Sequence, residues 1–203
     1  MKLISLDLST ARTGVSIFED EKLISRFSIT PKDKDPNFFK IKFIVDSLLP
    51  AIKEVDDIII EDIFLNTFAT GAQNVTGFCL LARLSGAVIN AWVTEKSTIP
   101  VLFKATEARK LAGIKGTCQK AEVQVFIAEK FKIATEEQLD TFKGMIEAEN
   151  GALLKEEFTK ATWKKHMVQI STYIEGECEL GEDEADSLLL ALSYYEAKRQ
   201  GRA

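Results

Sequence analysis

The chain has 203 residues, 46% of them hydrophobic, enough to bury a full core as one domain of ordinary to large size, and a single domain is the expectation. Its net charge of −5 argues at first against nucleic acid, but the charges are segregated. Every charged residue from 175 to 186 is acidic, whereas Lys104, Arg109, Lys110, Lys115 and Lys120 form a basic stretch broken only by Glu107, so the total does not exclude DNA. Cys79, Cys118 and Cys178 are too scattered for a zinc or disulfide framework and fit a reducing compartment. His166, the only histidine, leaves no material for a His-rich metal site. No run approaches the roughly 20 uninterrupted apolar residues of a membrane span, and Asp7 interrupts what would be the apolar region of a signal peptide. The expectation is an unprocessed cytoplasmic protein with no membrane partner.

Residues 2–7 alternate in polarity and lead into a Ser-Thr-Ala-Arg-Thr-Gly turn, the pattern of a first strand and loop. Residues 13–18 and 22–29 predict two further strands joined by a polar hairpin at Glu19, Asp20 and Glu21. Pro31 and Pro36 bracket a charged loop. Over residues 38–55, Phe39, Phe43, Ile44, Leu48 and Ile52 recur at helical spacing, predicting an amphipathic helix bent at Pro50. Residues 57–61 place three isoleucines between acids, a short strand buried on both faces.

The stretch 71–94 predicts a buried helix, with Ser85, Gly86 and Ala87 offering a close packing contact. A strand follows at 98–103, then a helix over 106–112, a turn at 113–116 and a helix over 119–131. Residues 132–180 are helical in propensity, anchored by Trp163 and Tyr173, and form an elaboration of the main domain. The last helix, 182–199, carries Ala185, Leu188, Leu189, Leu192 and Tyr195 on its apolar stripe. Early hairpin strands followed by alternating helices and strands imply an α/β mixed sheet covered by helices.

Four carboxylates sit at the ends of these elements: Asp7 and Glu61 at strand ends, Asp183 and Asp186 on the first turn of the last helix. Acids at the ends of buried elements are costly unless compensated, and carboxylates converging from rigid elements suit a hard divalent cation. Each also has an ordinary use. Asp7 can start a turn, Asp183 can favour a helix N-terminus, and Asp57 and Asp62 show that the isoleucine strand is simply flanked by acids.

Together these residues resemble a known family. Asp7-Leu-Ser-Thr-Ala-Arg-Thr-Gly14-Val, Ile-Ile-Ile-Glu61-Asp-Ile-Phe64 and Asp183-Glu-Ala-Asp186-Ser-Leu-Leu-Leu-Ala-Leu look like the three acidic motifs of RuvC-type Holliday junction resolvases, dimeric endonucleases with an RNase H-like fold. Phe103-Lys104, Ala108-Arg109-Lys110, Gly113-Ile-Lys-Gly116 and Lys120-Ala-Glu-Val123 are similar to the basic segment between the second and third motifs. The resemblance spans about residues 1–131 and 181–197.

It implies an RNase H-like mixed sheet flanked by helices with a helical insertion, and a homodimer that nicks four-way and related branched DNA, leaving 5′ phosphates. It implies Asp7, Glu61, Asp183 and Asp186 as ligands of two Mg²⁺ ions, with Mn²⁺ as a substitute, and Lys120 as the lysine near the scissile phosphate. Arg109 or Lys110 would contact the DNA backbone, and Phe64 would be an aromatic wedge; by its charge, the whole stretch of Lys104, Arg109, Lys110, Lys115 and Lys120 is the best candidate for phosphate contacts. Glu182 or Glu184 could replace Asp183 as a ligand. Leu8-Ser9 after the first aspartate and the segment 132–180 depart from the cellular pattern and look more like phage or viral relatives.

The basic stretch also has a bland explanation as a solvated helix face, as do Lys160, Lys164 and Lys165 beside Trp163; Phe64 and Phe68 could simply pack in the core. Two other classes share features of the chain. Actin-like and sugar-kinase-like nucleotide-binding proteins also begin with a strand ending in Asp and a Thr-Gly hairpin. They need further glycine-rich phosphate loops, and residues 113–116 lack that context. A DNA-structure-binding module that lost catalysis would not need all four acids.

Overall fold

The computed structural model describes residues 1–63, 72–154 and 159–202, with backbone only for 72–74. The chain forms two compact units: residues 1–116 with 187–203, and residues 117–186.

The first unit is built on a five-stranded sheet in the order β3-β2-β1-β4-β5. β1 (Lys2–Asp7) pairs antiparallel with β2 (Thr13–Glu19), and β2 pairs antiparallel with β3 (Lys22–Ile29). On its other edge β1 pairs parallel with β4 (Asp57–Glu61), which pairs parallel with β5 (Val101–Phe103). Asp20 and Glu21 both take positive φ, 48° and 68°, the backbone of a two-residue hairpin turn matched to strand twist. β1 and β4 lie centrally, so Leu3, Ile4, Leu6 and Ile58, Ile59, Ile60 are all buried. This is the fully apolar pattern of strands covered on both faces.

One face is covered by α1 (Asn37–Glu54), whose Ile41, Ile44, Leu48 and Ile52 join Leu84, Val88 and Trp92 of α2 (Ala72–Lys96) in the core. Pro50 lies inside α1 without ending it. Phe39 and Phe43, expected on the buried stripe, are instead 64% and 48% exposed; Ile41 takes the inward position. The expectation of a buried second helix also needs correction. Val75–Lys96 is long and apolar enough to cross a membrane by length and composition, yet only 22% of that window is buried. Of the small residues expected to pack closely, Ser85 is buried and Ala87 lies against the core, whereas a Cβ on Gly86 would meet nothing within 4 Å among the described residues.

The fifth strand is three residues long rather than six, starting just after Pro100, which has no amide to donate to a ladder. Next come α3 (Ala105–Leu111) and a turn with Gly113 at φ +88°. α7 (Glu182–Arg199) contributes its residues from Ser187 onward to this unit. They are buried more widely than one stripe: Leu190, Ala191, Ser193 and Tyr194 are enclosed as well as Leu188, Leu189 and Tyr195, while Leu192 is only half-buried. The Ser193 hydroxyl donates to the Ala108 carbonyl at 2.7 Å, and Phe18 meets Tyr195 edge-on at 5.9 Å.

The second unit packs α4 (Lys120–Lys130), α5 (Glu136–Leu154) and α6 (Lys160–Cys178) together. It contains most of the expected elaboration at 132–180. A reciprocal capping box between Gln119 and Glu122 starts α4, and Thr159 caps α6. Trp163 is the expected anchor, 9% exposed and donating to Asn150 Oδ1 at 3.1 Å, whereas Tyr173 stays 43% exposed against the edge of Phe142.

Candidate functional site

β1 and β4 run parallel with Leu6 opposite Ile60, so the next residues on each strand, Asp7 and Glu61, stand at neighbouring strand ends. Both are half-buried. Their positions follow from sequence: apolar runs force each strand into the core, and the first acid marks where it emerges. The turn after Asp7 is closed by its neighbours. The Ser9 amide donates to Thr13 Oγ1 at 3.2 Å, and the Thr13 hydroxyl donates back to the Ser9 carbonyl at 2.7 Å. On the far side of Glu61, the Asp62 amide donates to the Phe103 carbonyl at 2.8 Å, locking the end of β4 against β5.

Asp183 and Asp186 belong to the second unit, on the first turns of α7, where the helix dipole favours acids. Asp186 is 7% exposed and Asp183 half-buried. Lys120, at the first position of α4, sends its ammonium to Glu182 Oε2 at 3.1 Å and lies 3.8 Å from Asp186 Oδ2. Glu182 is thus engaged with the lysine, and its other oxygen accepts from the Ser171 hydroxyl at 2.6 Å. Of the two alternatives to Asp183, Glu182 already has work to do; Glu184 is 8% exposed.

The donors are all carboxylate oxygens, the type a hard divalent cation takes, so their chemistry fits magnesium. Among the described residues, no three Asp, Glu, His or Cys side chains are gathered as a metal-holding group. Asp7 and Glu61 form one pair in the first unit, and Asp183 and Asp186 lie in the second.

The basic stretch divides into two kinds of residue. Lys104, Lys110 and Lys115 are exposed. Arg109 is half-buried, and its Nη1 reaches the Gly116 carbonyl at 3.4 Å, so its guanidinium supports the turn after α3. Gly116 permits a close approach there: a Cβ would lie 3.2 Å from the Thr106 carbonyl oxygen and 3.3 Å from Lys110 Cε. Lys110 also lines a hollow of about 460 Å³ with Thr106, Glu107, Leu111, Gln200 and Arg202. In the second unit, Lys120 and Lys164 share a hollow of about 370 Å³ with Gln119, Ala121, Met167 and Glu182 among its walls. Lys160, Lys164 and Lys165 are exposed around buried Trp163, the arrangement of an anchoring tryptophan flanked by solvated lysines. His166 Nδ1 lies 2.9 Å from Glu149 Oε2. Phe64 and Phe68 lie outside the described residues.

Sequence reasoning missed Gln124 and Ser171, 0% and 2% exposed, which join Glu182 in one polar network. The available signal was Gln124 itself, a polar residue between Val123 and Val125 in a run that otherwise reads as core.

Searches of family models and of curated proteins find no match to this sequence. Among solved structures, the chain is similar to RuvC of Thermus thermophilus, with a TM-score of 0.60 and 14% identity over 100% of this chain and 98% of that one. It is also similar to T. thermophilus RuvC in complex with a Holliday junction substrate, with a TM-score of 0.58, 14% identity and the same coverage. The fold is therefore the RuvC-like, RNase H-like mixed sheet with flanking helices.

Proposed function

We propose that this chain is a divalent-metal-dependent, structure-selective endonuclease that nicks four-way and related branched DNA. The observation that carries the reading is the pair Asp7 and Glu61 on adjacent parallel strand ends of a RuvC-like sheet. The similar structure solved with a Holliday junction supports branched DNA as the substrate class.

In this reading Asp7, Glu61, Asp183 and Asp186 hold the metal ions, magnesium by preference with manganese as a substitute. Two bound ions would supply Lewis acidity, easing deprotonation of the attacking water and offsetting charge on the departing oxygen. The Lys120 ammonium faces the scissile phosphate and offsets the charge that builds on it. Lys104, Lys110 and Lys115 bind backbone phosphates and set the register, with Arg109 bracing their turn. Phe64 stacks at the opened branch point. Hydrolysis breaks the bond to the 3′ oxygen and leaves a 5′ phosphate.

Paired nicks need two active sites, which a two-fold homodimer provides on a nearly symmetric junction. Exposed Phe38, Phe39 and Phe43 on α1 and Val75 on α2 give a second copy an apolar surface to cover.

The deciding experiment incubates the purified protein and magnesium with labelled four-way junction, fork and linear duplex. The expected result is symmetric nicking of the junction, abolished in Asp7→Asn while junction binding persists. A variant that cuts at the wild-type rate overturns the assignment. Binding without cleavage by the wild-type protein would mark it as a DNA-structure-binding module.

A further inference from the structure

Gln124 on α4 and Ser171 on α6 are buried among apolar neighbours, including Val125, Ile170 and Ile174. Polar groups there are costly unless each finds a partner. Gln124 Nε2 donates to the Leu180 carbonyl at 2.9 Å and to the Ser171 carbonyl at 3.3 Å. These two acceptors fix which way the amide faces, so its Oε1 is turned toward the Ser171 hydroxyl, 2.6 Å away. The same hydroxyl lies 2.6 Å from Glu182 Oε1. A hydroxyl has one proton, which these two acceptors share. Glu182 turns its second oxygen to Lys120 at 3.1 Å, and that ammonium stands 3.8 Å from Asp186.

Sealing Gln124 inside the unit would need Ser171 and two carbonyls but no glutamate. The carboxylate is what carries the network outward, from a fully buried amide to a lysine side chain 48% exposed. A lysine stem has many rotamers, and a partner that is itself immobilised restricts them far more than a free surface glutamate could.

We infer that Gln124, Ser171 and Glu182 are positioning residues that hold the Lys120 ammonium beside Asp186, so that Glu182 serves the lysine and not a metal ion. The consequence for cleavage rests on the nuclease reading given above; the restraint on Lys120 does not. Helix α6, part of the elaboration, thereby helps to shape the working end of α4 through Ser171.

Two measurements on the full chain separate these levels. In the first, lysines are acylated with a water-soluble amine reagent and quantified by mass spectrometry. Lys120 should label several-fold faster in Ser171→Ala and Glu182→Gln than in wild type, while Lys110 keeps its rate. Ser171→Thr, which retains the hydroxyl, should label like wild type. In the second, Ser171→Ala should lower kcat for junction cleavage about tenfold with KM unchanged, and cause no further loss in a Lys120→Ala background. Unchanged Lys120 labelling in both Ser171→Ala and Glu182→Gln overturns the inference, as does an additive loss in the double variant. If wild type cuts no branched DNA, the nuclease reading fails and the labelling still decides the role of Glu182.

Discussion

The Ser5 hydroxyl, buried in the middle of β1, donates to the carbonyl oxygen of Ser187 at 2.6 Å, joining residues 182 positions apart. The bond ties the central strand of the sheet to α7, and Ser5 is 0% exposed, so water cannot replace it. Ser5→Ala removes the donor and leaves the carbonyl without that partner, which should cost about 1–2 kcal/mol in urea unfolding. Ser5→Val should cost more, because it loses the bond and also adds a methyl group to a filled core. A neutral Ser5→Ala would show that the contact holds nothing in place.

Burial pushes the Tyr195 hydroxyl up to about 12, with the carboxylates of Glu21, Asp20 and Asp57 adding to the effect and the Glu21 backbone tempering it. Burial, reinforced by its hydrogen bond to Asp57, raises Tyr194 as well. An unfolded tyrosine releases its proton near pH 10, while the folded chain keeps it. The contribution of Tyr195 to stability is therefore intact below about pH 10 and lost as the pH rises through about 12. Denaturant unfolding from pH 8 to 12 should show this fall, and Tyr195→Phe should make it shallower. An unchanged alkaline slope would exclude Tyr195 as its source.

Gly116→Ala should destabilise by about 1 kcal/mol, because the new methyl meets the Thr106 carbonyl oxygen at 3.2 Å and backbone cannot yield as a side chain does. Gly86→Ala, with open space around its Cβ, should instead stabilise α2 by about 0.5–1 kcal/mol. Thermal unfolding of the two variants should move in opposite directions.

Asp7 and Glu61 place two acidic side chains on adjacent strand ends, where like charges repel. Glu61→Gln should raise the stability of chelator-treated protein by a few tenths of a kcal/mol, to about 1 at most. On the nuclease function proposed above, the same variant should lose cleavage. Magnesium should raise the melting temperature of wild type more than that of Glu61→Gln, since binding to the folded state alone is stabilising. An equal rise in both would remove Glu61 from the metal site.

Much of this architecture was legible because it follows from local patterns. The apolar content of residues 2–7 and the isoleucine run at 58–60 mark the central strands, and the polar turn at 19–21 bounds β3 at 22–29. The same patterns place Asp7 and Glu61 at strand ends, because the acid is where burial stops. What stayed illegible depends on partners distant in the chain. Phe39 and Phe43 satisfy helical spacing as well as Ile41 does, and only the position of the sheet decides which of them faces inward. The exposure of α2 is likewise a property of what packs against it, whereas its composition alone suits a buried helix. Gln124, Ser171 and Glu182 lie 47 and 11 residues apart in sequence, so no spacing rule links them.

Because the first unit includes residues 187–203, its fold is discontinuous in the chain. During translation, the five strands are made long before the helix segment that Ser5, Phe18 and Asp57 engage. The sheet therefore emerges from the ribosome before the helix that packs on it, while residues 117–186, contiguous in sequence, can complete their packing first. Completion of the first unit waits for α7, the last helix of the chain to be synthesised.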